Sequence, residues 1–162
     1  RVVFDADAFN EKIEEMLPLI DIFIGSEFYY KALFDNEDYE ANCAKLLRRG
    51  PSIVVFTFGE KGCIGMDKQG FFEEPAFLVP VKDTTGAGDV FHGAFIYGLM
   101  QGFSSRKTAR FANAVAAIKC TRIGGRAGIP TLKMVDEFIE SGRLDFEELD
   151  QRVEFYRKQV NK

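Results

Sequence analysis

The chain has 162 residues, 46% of them hydrophobic and 28% charged, which is typical of a single globular domain with one substantial core. The formal net charge of -4 gives no sign of a nucleic-acid-binding surface, and no apolar run reaches the roughly 20 residues of a membrane-spanning helix. Three widely spaced cysteines without a CxxC pair argue against a disulfide framework or a zinc site, so we expect reduced thiols in a cytoplasmic protein.

Strands and helices are predicted to alternate along the first part of the chain, from short apolar runs and from helical periodicity of the apolar residues. The strands are expected at 2–4, 20–24 and 53–58, and the helices at 11–17, 27–33 and 39–49. The run at 53–58 is continuous and rich in β-branched and aromatic residues, as in a strand that is buried on both faces. Because a strand begins at the second residue, we expect a preceding part of the sheet to be missing.

The second part of the chain begins with a hairpin and continues with helices. Strands at 63–66 and 71–72 flank a turn at 67–70, and an extended run follows them. The extended run is at 77–81, and the later helices are expected from the turn at 83–89 to 101 and at 105–119, 131–141 and 146–160. This order predicts an α/β sheet with antiparallel edge strands in one domain.

The stretch at 83–95 combines two acids, two hydroxyls and three glycines with an apolar, helix-like run. Glycines let a backbone approach a ligand closely, and a turn that opens a helix presents unpaired N–H groups and the positive end of the helix dipole. The pattern predicts an anion-binding turn with the Asp89 carboxylate at its lip. The Walker A spacing is absent, and Phe91 stands where a dinucleotide fingerprint needs its third glycine. From these residues alone, a plain turn in which Asp89 only favours the helix dipole stays open.

The segment at 83–89 reads Asp-Thr-Thr-Gly-Ala-Gly-Asp and resembles the DTxGAGD signature of the ribokinase-like, or PfkB, family of carbohydrate kinases. Every fixed position of that signature is matched. The resemblance implies transfer of a phosphoryl group from ATP to a sugar hydroxyl, with Asp89 as the general base. It also implies an anion hole formed by the N–H groups of Gly86, Ala87 and Gly88.

A second segment, at 57–62, resembles the TxGxxG nucleotide loop of the same family and lies at the matching distance upstream. The resemblance implies that Thr57, Gly59 and Gly62 bind the nucleotide, although the pattern alone usually marks a hairpin. In the family a polar residue of a later helix borders the adenine, which implies that role for Asn113. The alternative for Asn113 is a polar residue on a helix surface.

The resemblance also implies two kinds of metal site. In several family members the start of the signature and a late glycine loop hold a monovalent cation, which here implies Asp83 and Thr85 as K⁺ ligands beside the loop at 121–129. The segment at 26–29 departs from the NxxE pattern that the family uses around Mg²⁺. Only Glu27 offers a carboxylate there, and it either binds Mg²⁺ through water or simply opens a helix.

The resemblance covers nearly all of this chain and the C-terminal half of the family's length. It implies the C-terminal portion of a ribokinase-like three-layer αβα sandwich, with a mostly parallel sheet and antiparallel edge strands. Residues 1–162 are expected to form one domain, the nucleotide-binding and catalytic-base part, without the N-terminal part and the lid. The implied function is ATP-dependent phosphorylation of a sugar or sugar-acid hydroxyl, with ATP, Mg²⁺ and K⁺ as cofactors.

Several alternatives stay open. The chain is expected to have little or no kinase activity alone, so a non-catalytic nucleotide-binding fragment that needs a partner or the missing half is the second hypothesis. The absent GxGxxG pattern argues against a third, a dinucleotide oxidoreductase. The sugar kinases and nucleoside kinases of the family all fit, a homodimer is open, and no nucleic-acid or membrane partner is expected. His92, the only histidine, is expected to pack or to form hydrogen bonds.

Overall fold

The computed structural model describes residues 2–6 and 12–160, which form a five-stranded sheet covered by helices. The strands lie in the sheet in the order in which they occur in the chain. They are β1 (Val3–Ala6), β2 (Ile22–Ser26), β3 (Ile53–Thr57), β4 (Cys63–Asp67) and β5 (Gly70–Glu74).

The sheet is mixed, as the sequence predicts. β1, β2 and β3 run parallel, whereas β4 and β5 add to β3 as an antiparallel hairpin. The connections between the parallel strands contain helices that return the chain, whereas the turn between β4 and β5 is too short for a crossover. The α/β fold with antiparallel strands at one edge is therefore confirmed, with two parallel and two antiparallel pairings.

Helices connect the parallel strands and then follow the sheet. They are α1 (Ile13–Met16), α2 (Glu27–Leu33), α3 (Tyr39–Leu47), α4 (Ala87–Met100), α5 (Ser105–Cys120), α6 (Leu132–Ser141) and α7 (Glu147–Val160). The helix predicted at 11–17 changes after α1 into a 3-10 turn, Leu17–Leu19, because Pro18 has no N–H for an α-helical hydrogen bond. Residue 11 of that prediction lies outside the described residues. The extended run predicted at 77–81 pairs with none of the described strands.

The central strands send alternate side chains to two hydrophobic clusters on opposite faces of the sheet. Ile22 and Ile24 of β2 pack in a cluster with α4, α5 and α6. Phe23, between them, packs in the other cluster with α1, α2 and α3. β3 follows the same alternation, which confirms the strand that was predicted to be buried on both faces. The result is the three-layer αβα arrangement.

Helix α4 packs on the sheet through its apolar face and leaves its first turn accessible. Phe91 and Phe95 are buried, whereas Gly88 and Asp89 are exposed. The other end of α4 is held by α5, since a Cβ on Gly98 would lie only 2.9 Å from a side-chain carbon of Thr108. The two helices therefore pack closely at this end of α4.

Candidate active site

The turn at 83–89 leads directly into α4. Gly86 occupies the N-cap position with a left-handed φ of 75°, which side chains with a Cβ rarely adopt. The Ala87 N–H then donates to the Thr84 carbonyl at 3.0 Å. The N–H groups of Gly88 and Asp89 come next, in the part of a helix where backbone donors have no intrahelical acceptor.

The far end of this turn opens to solvent. A Cβ built on Gly88 would meet no other heavy atom within 4 Å. The exposed Asp89 carboxylate lies beside Gly86, with Oδ2 3.7 Å from the position of a Cβ on that glycine. An anion at this place would meet backbone donors and the positive end of the helix dipole, with Asp89 next to it.

The near end of the turn is tightly bonded through Asp83. The Thr85 N–H donates to Oδ1 of Asp83 at 2.8 Å, and the Gly124 N–H donates to Oδ2 at 2.7 Å. Hydrogen bonds from Gly124 and then from Thr85 lower the pKa of Asp83 to about 2. The main-chain oxygen of Asp83 accepts from Lys119 Nζ at 3.0 Å. Asp83 therefore ties the turn to the glycine loop at 121–129 and to α5.

His92 connects the first turn of α4 to the sheet. Its Nδ1 lies 2.8 Å from the Gly88 carbonyl, and its Nε2 lies 3.1 Å from Oδ1 of Asp5 on β1. The same Nε2 is 3.5 Å from the Ile24 carbonyl on β2. These contacts agree with the predicted hydrogen-bonding role. They also place the turn toward the carboxyl ends of the parallel strands, the edge where α/β sheets bind ligands.

A cavity of about 600 Å³ opens beside the turn. Thr85, Gly86 and Asp89 form its polar end, and most of its other lining is apolar. Such a volume suits a small organic ligand, with charged groups at the turn and an apolar body between the helices. No motif of the sequence predicts the apolar walls, because they come from three helices and a loop: Val90, Tyr97, Phe111, Val115, Ile129, Leu132 and Val135.

The TxGxxG loop begins with Thr57, the last residue of β3, and lies outside the lining of this cavity. Its two glycines have different surroundings. Gly59 has a φ of 57°, and a Cβ there would meet nothing within 4 Å. Gly62 has a φ of 96°, and a Cβ there would lie 2.1 Å from the Glu74 carbonyl oxygen. Gly59 therefore faces open space, whereas Gly62 lets the chain after β5 pass.

Asn113 is buried on α5, with 7% of its surface exposed, so it is not the surface residue of the alternative interpretation. Its Nδ2 donates to the Glu74 carbonyl at 3.0 Å and to the Pro75 carbonyl at 3.2 Å. These bonds join α5 to the end of β5. Contact of Asn113 with adenine stays a prediction, as does nucleotide binding by Thr57.

Glu27 opens α2, as one of its two interpretations requires. Ser26 is the N-cap and accepts the Tyr29 N–H at 3.3 Å. The Lys31 ammonium donates to Glu27 at 2.7 Å, and this hydrogen bond lowers the pKa of Glu27. Ser26 also pairs in register with Thr57, so the start of α2 lies beside the TxGxxG loop.

A preformed metal centre would need several ligands close together. Within residues 2–6 and 12–160, no group of three or more His, Cys, Asp and Glu side chains is arranged to hold a metal ion. In the same part of the chain, no helix combines the length and the apolar character that crossing a membrane requires. The predicted Mg²⁺ and K⁺ ligands stay predictions.

The family model for the pfkB family carbohydrate kinase matches residues 1–132. The chain belongs to the pfkB family of carbohydrate kinases. The matched residues include the TxGxxG loop at 57–62, the turn at 83–89 and the glycine loop at 121–129. The predicted resemblance is therefore confirmed.

Individual relatives agree with the pfkB family. The ribokinase of Lactococcus lactis is 32% identical over 121 residues, which cover 75% of this chain and 39% of the relative. An Arabidopsis thaliana ribokinase complexed with ribose and ATP is 26% identical with a TM-score of 0.72, over 84% of this chain and 47% of that one. An E. coli structure in complex with ATP and Mg²⁺ is 30% identical with a TM-score of 0.71, over 79% of this chain and 42% of that one. This pfkB-family chain therefore spans less than half the length of each of the three.

Proposed function

We propose that this chain carries the nucleotide-binding and general-base part of an ATP-dependent sugar kinase. One observation carries the proposal: backbone donors at the start of α4 and the exposed Asp89 carboxylate lie at the same end of a cavity of about 600 Å³. Phosphoryl transfer needs little covalent chemistry from a protein. A turn that positions and neutralises phosphate oxygens next to a carboxylate meets its main requirement.

Asp89 is the general base in this proposal, and its carboxylate accepts the proton of the attacking hydroxyl. The N–H groups of Gly86, Ala87 and Gly88 form the anion hole that stabilises charge on the transferring phosphoryl group. The Ala87 N–H already donates to the Thr84 carbonyl. We therefore expect the Gly88 N–H to contribute more than that of Ala87.

The nucleotide is placed with its phosphates at the turn and its base between the apolar walls of the cavity. Mg²⁺ prefers to keep water ligands and to bind phosphate oxygens, so the absence of a carboxylate cage in the described residues is compatible with it. When bound, Mg²⁺ neutralises charge on the phosphates. Glu27 is the proposed carboxylate that reaches it through water. The family resemblance adds four further proposed nucleotide contacts, which lie outside the lining of this cavity: Thr57, Gly59, Gly62 and Asn113.

The proposed acceptor is a sugar or sugar-acid hydroxyl. The Arabidopsis relative was solved with ribose and ATP, so ribose is the first acceptor to test. Fructose, 2-keto-3-deoxygluconate and a nucleoside cover the other substrate classes that the family resemblance leaves open. A homodimer stays a prediction.

Calorimetric titration of the purified chain with ATP and Mg²⁺ tests the nucleotide part of the proposal. We expect ATP to bind and Gly88→Val to weaken binding by about 10-fold or more, because the added side chain stands next to the Gly88 N–H group that is proposed to hold the phosphate. Ala32→Val, exposed on α2 and outside the cavity lining, is the control for adding a β-branched side chain to a helix. A chain that does not bind ATP contradicts the proposal, and NAD binding instead would favour an oxidoreductase.

Sugar-dependent ADP release tests the transfer itself. The second candidate function is a non-catalytic nucleotide-binding fragment, which is favoured by one observation: the chain spans only 39% of the Lactococcus ribokinase. ADP release that depends on the sugar supports the kinase. ATP binding without any sugar-dependent release supports the fragment.

A further inference from the structure

Lys119 is an unusual residue of this fold because its charged side chain has an exposure of 0%. It lies in the last turn of α5, and its ammonium group donates to the main-chain oxygen of Asp83 at 3.0 Å. Lysine is almost never fully buried unless it is paired, because taking a charge out of water costs free energy. The position of this ammonium group therefore needs a physical explanation.

Two features compensate for the buried charge. The carboxyl end of a helix carries partial negative charge, and Lys119 is the basic residue in the last turn of α5. The carboxylate of Asp83 belongs to the same residue as the oxygen that accepts the Lys119 hydrogen bond. The ammonium group thus has an oxygen acceptor on a residue that also carries a carboxylate, which resembles the environment that a bound cation requires.

The same place is where the sequence predicts a monovalent cation. Each acceptor atom of Asp83 already has a donor: the carboxylate oxygens accept the N–H groups of Thr85 and Gly124, and the main-chain oxygen accepts Lys119. A K⁺ ion bound to this main-chain oxygen would have to displace the ammonium group and would meet its positive charge. The ammonium group therefore disfavours a K⁺ ion at the main-chain oxygen of Asp83.

We propose that the ammonium group of Lys119 takes the place of the monovalent cation, so that the turn at 83–89 is held in its anion-binding form without K⁺. An ammonium group and a K⁺ ion both carry one positive charge and both seek oxygen atoms. The ammonium group differs in that it is covalently attached to α5 and cannot dissociate.

The backbone at and next to Lys119 contacts both the start of the turn and the glycine loop. The Cys120 carbonyl, one residue further, accepts the N–H groups of Lys82 at 2.8 Å and Asp83 at 3.1 Å. A Cβ on Gly128 would lie 2.2 Å from the Lys119 carbonyl oxygen, so the glycine loop closes against the same residue. The end of α5, the loop and the start of the turn form one bonded unit with the ammonium group inside it.

The first test needs no variant. Thermal unfolding and calorimetric ATP binding are measured on the wild-type chain in KCl and in choline chloride of equal ionic strength. We expect the melting temperature and the ATP affinity to be the same in both salts, within about twofold for the affinity. A rise in melting temperature that is specific to KCl would overturn the proposal, because it would show a K⁺ site in the folded protein.

The second test removes the ammonium group. Lys119→Met keeps the length of the side chain without its charge, and Lys133→Met, at an exposed position of α6, is the matched control. We expect Lys119→Met to melt at a lower temperature and to gain stability in KCl over choline chloride, as the freed oxygens accept the ion. If Lys119→Met is as indifferent to K⁺ as the control, Lys119 does not stand in for the cation.

The ATP-binding arm rests on the proposed function, whereas the unfolding arms do not. A chain that fails to bind ATP contradicts the proposed function, and the melting temperatures in the two salts still decide the role of Lys119. If Lys119→Met does not fold, Lys119→Gln is measured in the two salts instead, because it keeps a hydrogen-bond donor and removes the charge. A melting temperature of this variant that is the same in KCl and in choline chloride would contradict the role of Lys119.

Discussion

The two carboxylates of the turn at 83–89 have opposite surroundings. Asp83 accepts backbone N–H groups on both of its oxygens, one of them from a loop far along the chain. Asp89 is exposed and lines the cavity beside the start of α4. The same type of side chain is therefore held by hydrogen bonds at one end of the motif and is accessible to a ligand at the other. Substitutions at the two positions should separate these roles.

Asp89→Asn is predicted to have the largest effect on catalysis. The amide keeps the shape of the side chain but cannot accept the proton of the attacking hydroxyl, so under conditions in which the wild-type chain releases ADP with the sugar, kcat should fall by about 10²–10⁴-fold. ATP affinity and the melting temperature should stay near their wild-type values, because Asp89 is exposed. Sugar-dependent ADP release, calorimetry and thermal unfolding measure the three quantities. Retained turnover in this variant would show that Asp89 is not the general base.

Asp83→Asn is predicted to reverse that pattern. The Thr85 and Gly124 N–H groups reach different oxygens of Asp83, and the amide replaces one of these oxygens by an NH₂ donor, so one of the two hydrogen bonds is lost. We expect a lower melting temperature and weaker ATP binding together, since the turn and the loop lose their connection. Asp136→Asn on the exposed face of α6 is the control for replacing an acid by its amide. Equal melting temperatures for the two variants would contradict the structural role of Asp83.

The two glycines of the TxGxxG loop also differ in their surroundings, since Gly62 is packed against the backbone and Gly59 faces open space. Gly62→Ala forces a Cβ against the Glu74 carbonyl oxygen and strains the backbone, so it should lower the free energy of unfolding by about 1–3 kcal/mol or more. Gly59→Ala adds a Cβ in open space and should cost only about 1 kcal/mol. Urea unfolding of both variants measures the difference. The opposite order would mean that the chain after β5 does not pass beside Gly62.

The smallest predicted effect concerns buried ionisable groups. Burial raises the pKa of the Cys43 and Cys63 thiols from 9.0 to about 12. The folded protein should keep both thiols protonated at pH 9, where an unfolded chain begins to ionise them, so stability should fall as the pH rises above about 9. In the folded chain these thiols should react slowly with a thiol reagent and quickly in urea. Rapid reaction of both thiols without urea would contradict their burial.

Much of the fold follows from signals that lie within a few residues of one another. The β-branched and aromatic run at 53–58 predicts a buried strand, and the turn residues at 67–70 predict the hairpin that follows. The glycine at 86, followed by an acid and an apolar run, predicts the start of α4. These features are local, because a strand, a hairpin turn and a helix start each depend mainly on neighbouring residues.

The bonding of the site is decided by contacts between distant parts of the chain. The Gly124 N–H reaches Asp83 across 41 positions, Lys119 reaches it across 36, and Asn113 reaches Glu74 across 39. No local pattern encodes such pairs, so the sequence presents Asp83 and Asp89 as similar acids and Lys119 as an ordinary helix residue. The family resemblance points to the turn and to Asp89 as its base.

The sequence by itself determined the order of strands and helices, the glycine-rich turn that opens α4 and membership of the pfkB family. Only the tertiary structure decided which carboxylate is bonded and which is accessible, that Lys119 is buried beside Asp83, and that three helices and a loop form the apolar walls of the cavity. The physical reason is that accessibility and hydrogen-bond saturation are properties of the packed chain. They depend on which segments meet in space, and residue type alone does not record that.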